Sequence, residues 1–317
     1  MFSKNFCHHL RHSFVNPGRC DNVVLNNLTI LGLKTHLRKI LSANMSNWSI
    51  PLNIERGSKE SLGNTLNDFD KLVKRMSQFN ETGSKSQSFI SRISNDPLSR
   101  HDQTTDGEFY SFPRFVTHID DHAIDSLTSF YSEHLKENSI IVDLCSSWIS
   151  HLPRDKEFQK VIGIGMNENE LKANKRLDVK YVCDLNTKHS TQNNNLLPML
   201  EKDSVNHVLC AVSIDYLIQP ITVFHEVLRV LKPSSGSTFI ISFSNRCFPT
   251  KAIKSWLETD DAGRIGIVCS YFQESNTSNH GNWKNIKVFD LSKDDRDDHP
   301  SSPHYSDPLF VVTGEKV

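Results

Sequence analysis

Three short segments place an acid, hydroxyls or small residues directly after a run of β-branched residues, and these are the places where binding chemistry is expected. The first reads Val142-Asp143-Leu144-Cys145-Ser146-Ser147-Trp148-Ile149-Ser150-His151. A carboxylate followed by small side chains lets backbone N–H groups approach a ligand closely. The second, Val161-Ile162-Gly163-Ile164-Gly165-Met166-Asn167, contains a GxG. A dinucleotide fingerprint requires a third glycine, and Glu168 stands in its place, so that chemistry is rejected. The third segment is Cys183-Asp184-Leu185. Two later segments, Val212-Ser213-Ile214-Asp215-Tyr216-Leu217 and Ser244-Asn245-Arg246, supply groups that could orient or deprotonate a hydroxyl, amine or thiol, as could His118.

Each of these residues also has a plainer role open to it. Asp143 could cap a helix beginning near Ser146, and Asp184 could form a turn. Trp148 could be a core aromatic, and His118 and His151 could be structural. Glu226 and Arg229 lie one helical turn apart and read as a structural ion pair. The acidic stretch of Asp294, Asp295, Asp297 and Asp298 lacks the central glycine and terminal Glu of a calcium loop, so a solvated loop and no metal are expected. The cysteines are scattered singly, which excludes a zinc ribbon and a thioredoxin-like motif.

The elements that position these groups follow from periodicity. Asp120 to Leu135 is an acid-started amphipathic helix, with Ile124, Leu127, Phe130 or Tyr131, and Leu135 on one face. Strands are expected at 139–144, 160–165, 180–183, 207–213 and 238–243, with a helix at 221–231 closed by Pro233. Strands that are almost continuously apolar and alternate with helices make a parallel sheet covered on both faces. Ligands bind beyond the carboxyl ends of such strands. Residues 284–291 and 308–313 add a hairpin at the sheet edge.

The 317 residues carry 36 Lys plus Arg against 37 Asp plus Glu, which excludes a strongly basic nucleic-acid binder. No apolar run approaches the roughly 20 residues of a membrane-spanning helix. That balance conceals an uneven distribution. Between Met1 and Ile54 six basic residues face a single acid, Asp21, and the stretch Leu31 to Leu41 is amphipathic, which is how a mitochondrial or plastid-type leader reads. Without such targeting the protein would be cytoplasmic. Residues 55–105 read as a polar linker with one amphipathic helix, marked by Leu62, Leu66, Phe69, Leu72, Val73, Met76 and Phe79. Residues 106–317 read as the folded core.

From Asp143 to Phe243 the order of pieces resembles the class I S-adenosylmethionine-dependent methyltransferases, especially the branch called methyltransferase type 11. Glu226-x-x-Arg229-Val230-Leu231-Lys232-Pro233 resembles that family's ExxRVLKPGG segment. The segments 112–121, 146–153 and 244–252 look like a poorly characterised subgroup of it. The resemblance implies an α/β, doubly wound, mostly parallel Rossmann-like sheet with a C-terminal antiparallel hairpin, and S-adenosylmethionine as cofactor. Asp143 takes the acidic position of the D/E-x-G-x-G-x-G loop, while Cys145, Ser147 and Ile149 replace its glycines. Gly165 stands where the family places a ribose-binding acid, leaving Asn167 or Glu168 to reach the ribose. Asp184, with Leu185, matches the adenine-contacting acid. The implied cofactor-binding set is Asp143, Cys145, Ser146, Ser147, Gly165, Met166, Asp184, Leu185 and Ser213. Candidates on the substrate side are His118, Asp215, Tyr216, Asn245 and Arg246, with no residue singled out as catalytic. The altered loop leaves two functions open: methyl transfer to an unidentified acceptor, or a methyltransferase-like scaffold without turnover.

Overall fold

The structure, a computed structural model, describes residues 53–56, 88–187, 195–234, 236–276, 280–292 and 306–317. All of them fall in one compact unit, Asn44–Val317. Apart from residues 53 and 54, the leader expected at 1–54 lies outside the described residues, as do the helix expected at 62–79 and the loop expected at 294–298.

The strands are β1 Asn53–Arg56, β2 Ile140–Leu144, β3 Lys160–Gly165, β4 Val179–Val182, β5 His207–Ala211, β6 Thr238–Phe243, β7 Trp283–Asp290 and β8 Phe310–Lys316. They form one sheet in the order β1-β7-β8-β6-β5-β2-β3-β4. The run β6-β5-β2-β3-β4 is parallel throughout, and β8 is antiparallel to both β6 and β7. This is the doubly wound, mostly parallel, Rossmann-like architecture that the resemblance implies. The C-terminal pair is antiparallel as expected, but it is not the edge, because β1 pairs in parallel with β7 outside it.

The helices are α1 Phe89–Ile93, α2 Asp106–Phe109, α3 Asp121–His134, α4 Glu168–Ala173, α5 Pro220–Val230, α6 Lys254–Leu257 and α7 Asp261–Glu274. Successive strand residues serve opposite faces. Val142, Leu144, Val208 and Cys210 pack with α5 and α7, whereas Ile141, Val161, Leu209 and Ile240 pack with α3. Both faces are therefore covered, which explains the unbroken apolar runs. Sequence periodicity misses α7, because ten of its fourteen residues are buried and no polar stripe remains.

Two expectations need correction. The packed unit begins before residue 106: Phe89 and Ile90 belong to the core, and Phe89 lies where a Cβ on Gly266 of α7 would meet its ring at 2.2 Å. The helix expected near Ser146 is absent, since 145–159 is irregular and the next regular element is β3. Its serines bond a side chain, Cys145 and His151 take positive φ (both 54°), and Pro153 follows. All three features oppose helix propagation.

Candidate functional site

The sheet order reverses at β2, whose neighbours are β3 on one side and β5 on the other, and a cleft opens beyond the carboxyl ends there. It encloses about 1170 Å³, counting the part open to solvent. Every residue of the implied cofactor set lines it. Asp143, Cys145, Ser146 and Ser147 come from the end of β2, Gly165 and Met166 from β3, Asp184 and Leu185 from the turn after β4, and Ser213 from that after β5.

The loop after β2 is held from within. Asp143 is buried, and its Oδ2 accepts hydrogen bonds from Ser146 Oγ and Ser150 Oγ, each at 2.7 Å. Burial raises its carboxyl to about 6, and the two hydroxyls oppose that rise. Asn174 Nδ2 donates to Ser150 Oγ at 2.7 Å and to Ser147 O at 2.9 Å. Of the three residues replacing glycines, Cys145 alone takes positive φ, a conformation costing roughly 1–2 kcal/mol for a residue with a Cβ. Gly165 has a packing reason to lack a side chain, for its Cβ would stand 2.0 Å from the carbonyl oxygen of Ser146. Val212, a β-branched residue at φ 47°, turns the chain off β5 beside the cleft.

The expected substitute for the ribose acid is not at the cleft: Glu168 is exposed and pairs with Lys172 at 2.6 Å. Asn167 lines the cleft but caps α4, its Oδ1 accepting from the backbone of Asn169 at 2.9 Å and Glu170 at 3.2 Å. From α4 it is Glu170 that faces the cleft, an acid which sequence reasoning missed. Its Oε1 accepts from Arg114 N at 2.6 Å and its Oε2 from Ser147 Oγ at 2.7 Å. Asp184 does form a turn, accepting from Asn186 N at 2.8 Å, and also lines the cleft.

A segment from 100 to 119 roofs the cleft. It is tied down through Asp106, which receives Arg100 Nη1 at 2.8 Å and Asn186 Nδ2 at 2.7 Å and lies 3.5 Å from the buried Lys251 Nζ. Arg114, Val116 and His118 reach the cleft from this segment. Trp148 is a half-buried cleft residue, not a core aromatic, and its Nε1 donates to Val116 O at 3.0 Å.

On the substrate side His118 and Tyr216 line the cleft, whereas Asp215, Asn245 and Arg246 do not. Asn245 and Arg246 are exposed, and Arg246 Nε lies 3.8 Å from Asp307. Asp215 is buried, its Oδ2 without a hydrogen-bond partner, and burial pushes its carboxyl up to about 8. His151, which lines the cleft, is lowered to about 4 by burial and by the neighbouring His118, and its Nδ1 is unpartnered. His118 is itself lowered, chiefly by burial. Both imidazoles are thus neutral near pH 7. Glu226 and Arg229 are a buried structural pair: the guanidinium also donates to the carbonyls of Leu197 at 2.9 Å and Leu200 at 3.0 Å.

No family model matches the sequence, and no curated protein does either. Solved structures resemble its chain path. One is an S-adenosylmethionine-dependent methyltransferase from Aquifex aeolicus, 15% identical with a TM-score of 0.38, the match covering 62% of this chain and 92% of that one. Another, from Mesorhizobium loti, is 13% identical with a TM-score of 0.37, covering 60% and 99%. A third is the geranyl diphosphate C-methyltransferase of Streptomyces coelicolor, 13% identical with a TM-score of 0.38, covering 61% and 80%. The fold assignment rests on the sheet order and crossovers; function has to come from the cleft.

Proposed function

We propose that the chain is an S-adenosylmethionine-dependent methyltransferase of the type 11-like branch. The observation that carries this reading is a cleft at the strand-order reversal, into which all the residues implied for that cofactor converge. The cleft walls fit the group: small side chains after β2, an acid with one oxygen outside the Asn186 turn, and an apolar neighbour in Leu185. The loop of Cys145, Ser146 and Ser147 would lie along the methionine part, and Asp184 with Leu185 along the adenosine part. Bound there, S-adenosylmethionine supplies an electrophilic sulfonium methyl group.

The residues of this chain have the remaining tasks. The segment from 100 to 119 covers part of the cleft, and the aromatic walls align the acceptor. His151 or His118, neutral near pH 7, can take a proton from an acceptor hydroxyl or amine. A scaffold without turnover is the second reading, favoured by one observation: the loop after β2 already satisfies its own polar groups through Asp143 and Asn174. Calorimetric titration of the full chain with S-adenosylmethionine and S-adenosylhomocysteine tests the first reading. Micromolar binding is expected, weakened about 10- to 100-fold in Asp184→Ala, since hydrogen bonds to a charged group are worth about 1.5–3 kcal/mol. Binding of both ligands without methyl transfer to any acceptor would point to the scaffold, and no heat with either would sink the methyltransferase reading and favour the scaffold.

We also propose that the basic segment 1–54 directs the protein to an organelle, on the strength of its six basic residues against one acid. Fused to a fluorescent reporter, it should leave the cytosol; a diffuse cytosolic signal would refute the targeting role.

A further inference from the structure

Arg114 is the one Arg or Lys among the residues lining the cleft. Its guanidinium sits 4.5 Å from the ring centre of Phe109, 5.5 Å from that of Phe248 and 5.8 Å from that of Tyr110. Nη2 donates to Phe109 O at 2.9 Å and Nη1 to Phe112 O at 3.4 Å. Among the described residues it forms no ion pair. Of the acids lining the cleft, Asp106 is engaged by Arg100, Asp143 by two serines, and Glu170 by the backbone of Arg114 and by Ser147, while Asp184 stands in the Asn186 turn on the side assigned to the cofactor. A half-buried planar cation, fixed by aromatic faces and without an ion-pair partner among the described residues, attracts an anion into the cleft.

The surroundings narrow the class of anion. Phe248 lies on the side of β6, away from the loop after β2, and its ring is 5.3 Å from His118 and 6.0 Å from Tyr216. The guanidinium, set among Phe109, Tyr110 and Phe248, is assigned to the acceptor chamber, although the backbone N–H of the same residue meets Glu170, which also holds Ser147 of the loop assigned to the cofactor. The chamber walls are aromatic and suit a flat ring. One guanidinium matches one carboxylate, and the acids Glu170 and Asp184 in the same lining disfavour a phosphate dianion. Resting on the methyltransferase reading, we propose that the acceptor is an aromatic carboxylate whose carboxyl group pairs with Arg114 while its ring lies among Tyr110, Tyr216 and Phe248.

The test uses the full chain and two probes, benzoate and its neutral isostere benzamide, titrated by calorimetry with and without S-adenosylhomocysteine. Benzoate should bind at least about tenfold more tightly than benzamide. Arg114→Gln should abolish that preference while its affinity for S-adenosylhomocysteine stays within about twofold of the wild type. Equal affinity of the wild-type chain for both probes overturns the proposal, and needs no variant to fold. So does a preference that survives Arg114→Gln. Competition between benzoate and S-adenosylhomocysteine, or an equal loss of both in Arg114→Gln, also overturns it, because the guanidinium would then serve the carboxylate of the cofactor. If S-adenosylhomocysteine fails to bind yet the benzoate preference appears, the anion site stands and the methyltransferase reading falls.

Discussion

Asp143 and Asp215 are both buried carboxyls, but their surroundings separate them. Asp143 is held by two hydroxyls, whereas Asp215 has an oxygen without a partner and is raised further, to about 8. A carboxyl raised in the folded state keeps its proton there while the unfolded chain releases it. Its contribution is complete below the ordinary value near 4 and is lost as pH rises through about 8. The limiting slope is about 1.4 kcal/mol per pH unit. Asp215→Asn should remove this slope, so the melting temperature of the wild type should fall relative to that of the variant between pH 5 and about 8. Parallel curves would show that Asp215 does not titrate in that range. Gly165 makes a related point about reading single residues. In the sequence it stands for an absent acid, while in the fold it gives room to the Ser146 carbonyl. Only the distance between two loops could reveal that.

The roof of the cleft depends on a few buried charges. Asp106 holds Arg100 and Asn186 and faces Lys251, which is fully buried and also donates to Thr104 O at 2.6 Å. Removing one partner of such a cluster leaves the others desolvated and uncompensated, typically at about 3–5 kcal/mol. Asp106→Ala should lower unfolding stability by that amount in urea denaturation; a change under 1 kcal/mol would mean that the roof is held by its other contacts. None of this cluster is visible in sequence, since its members lie between residues 100 and 251 and share no spacing. What is legible is whatever alternates or repeats. Strands β2, β3, β5 and β6 show as apolar runs because both faces are covered, and α3 and α5 show because each keeps a polar side. The nine cofactor candidates cluster as expected because a parallel sheet gathers its strand ends. Arg114, Glu170 and Phe248 were missed because cleft membership depends on how the roof folds over, which no local pattern encodes.

At the scale of the whole unit, the chain before residue 106 is structural. Ser255 Oγ donates to Pro97 O at 2.9 Å, Lys254 N to Ser99 O at 2.8 Å, and Phe89 fills the space left by Gly266. A chain starting at residue 106 would expose that face of α7. It should melt well below one starting at residue 44, and differential scanning calorimetry of the two would decide; matching transitions would mean that this segment only decorates the core.

One pairing also sets an order in time. Strand β1 lies beside β7, Asn53 opposite Lys287, so the first strand waits for nearly the last. At about 5–20 residues per second, a ribosome needs on the order of 10 to 50 s to make the chain between them. During that interval the parallel strands and their crossovers can assemble without β1. Residues 53–56 are thus the last of the described sheet to be committed, held back until β7 has been made.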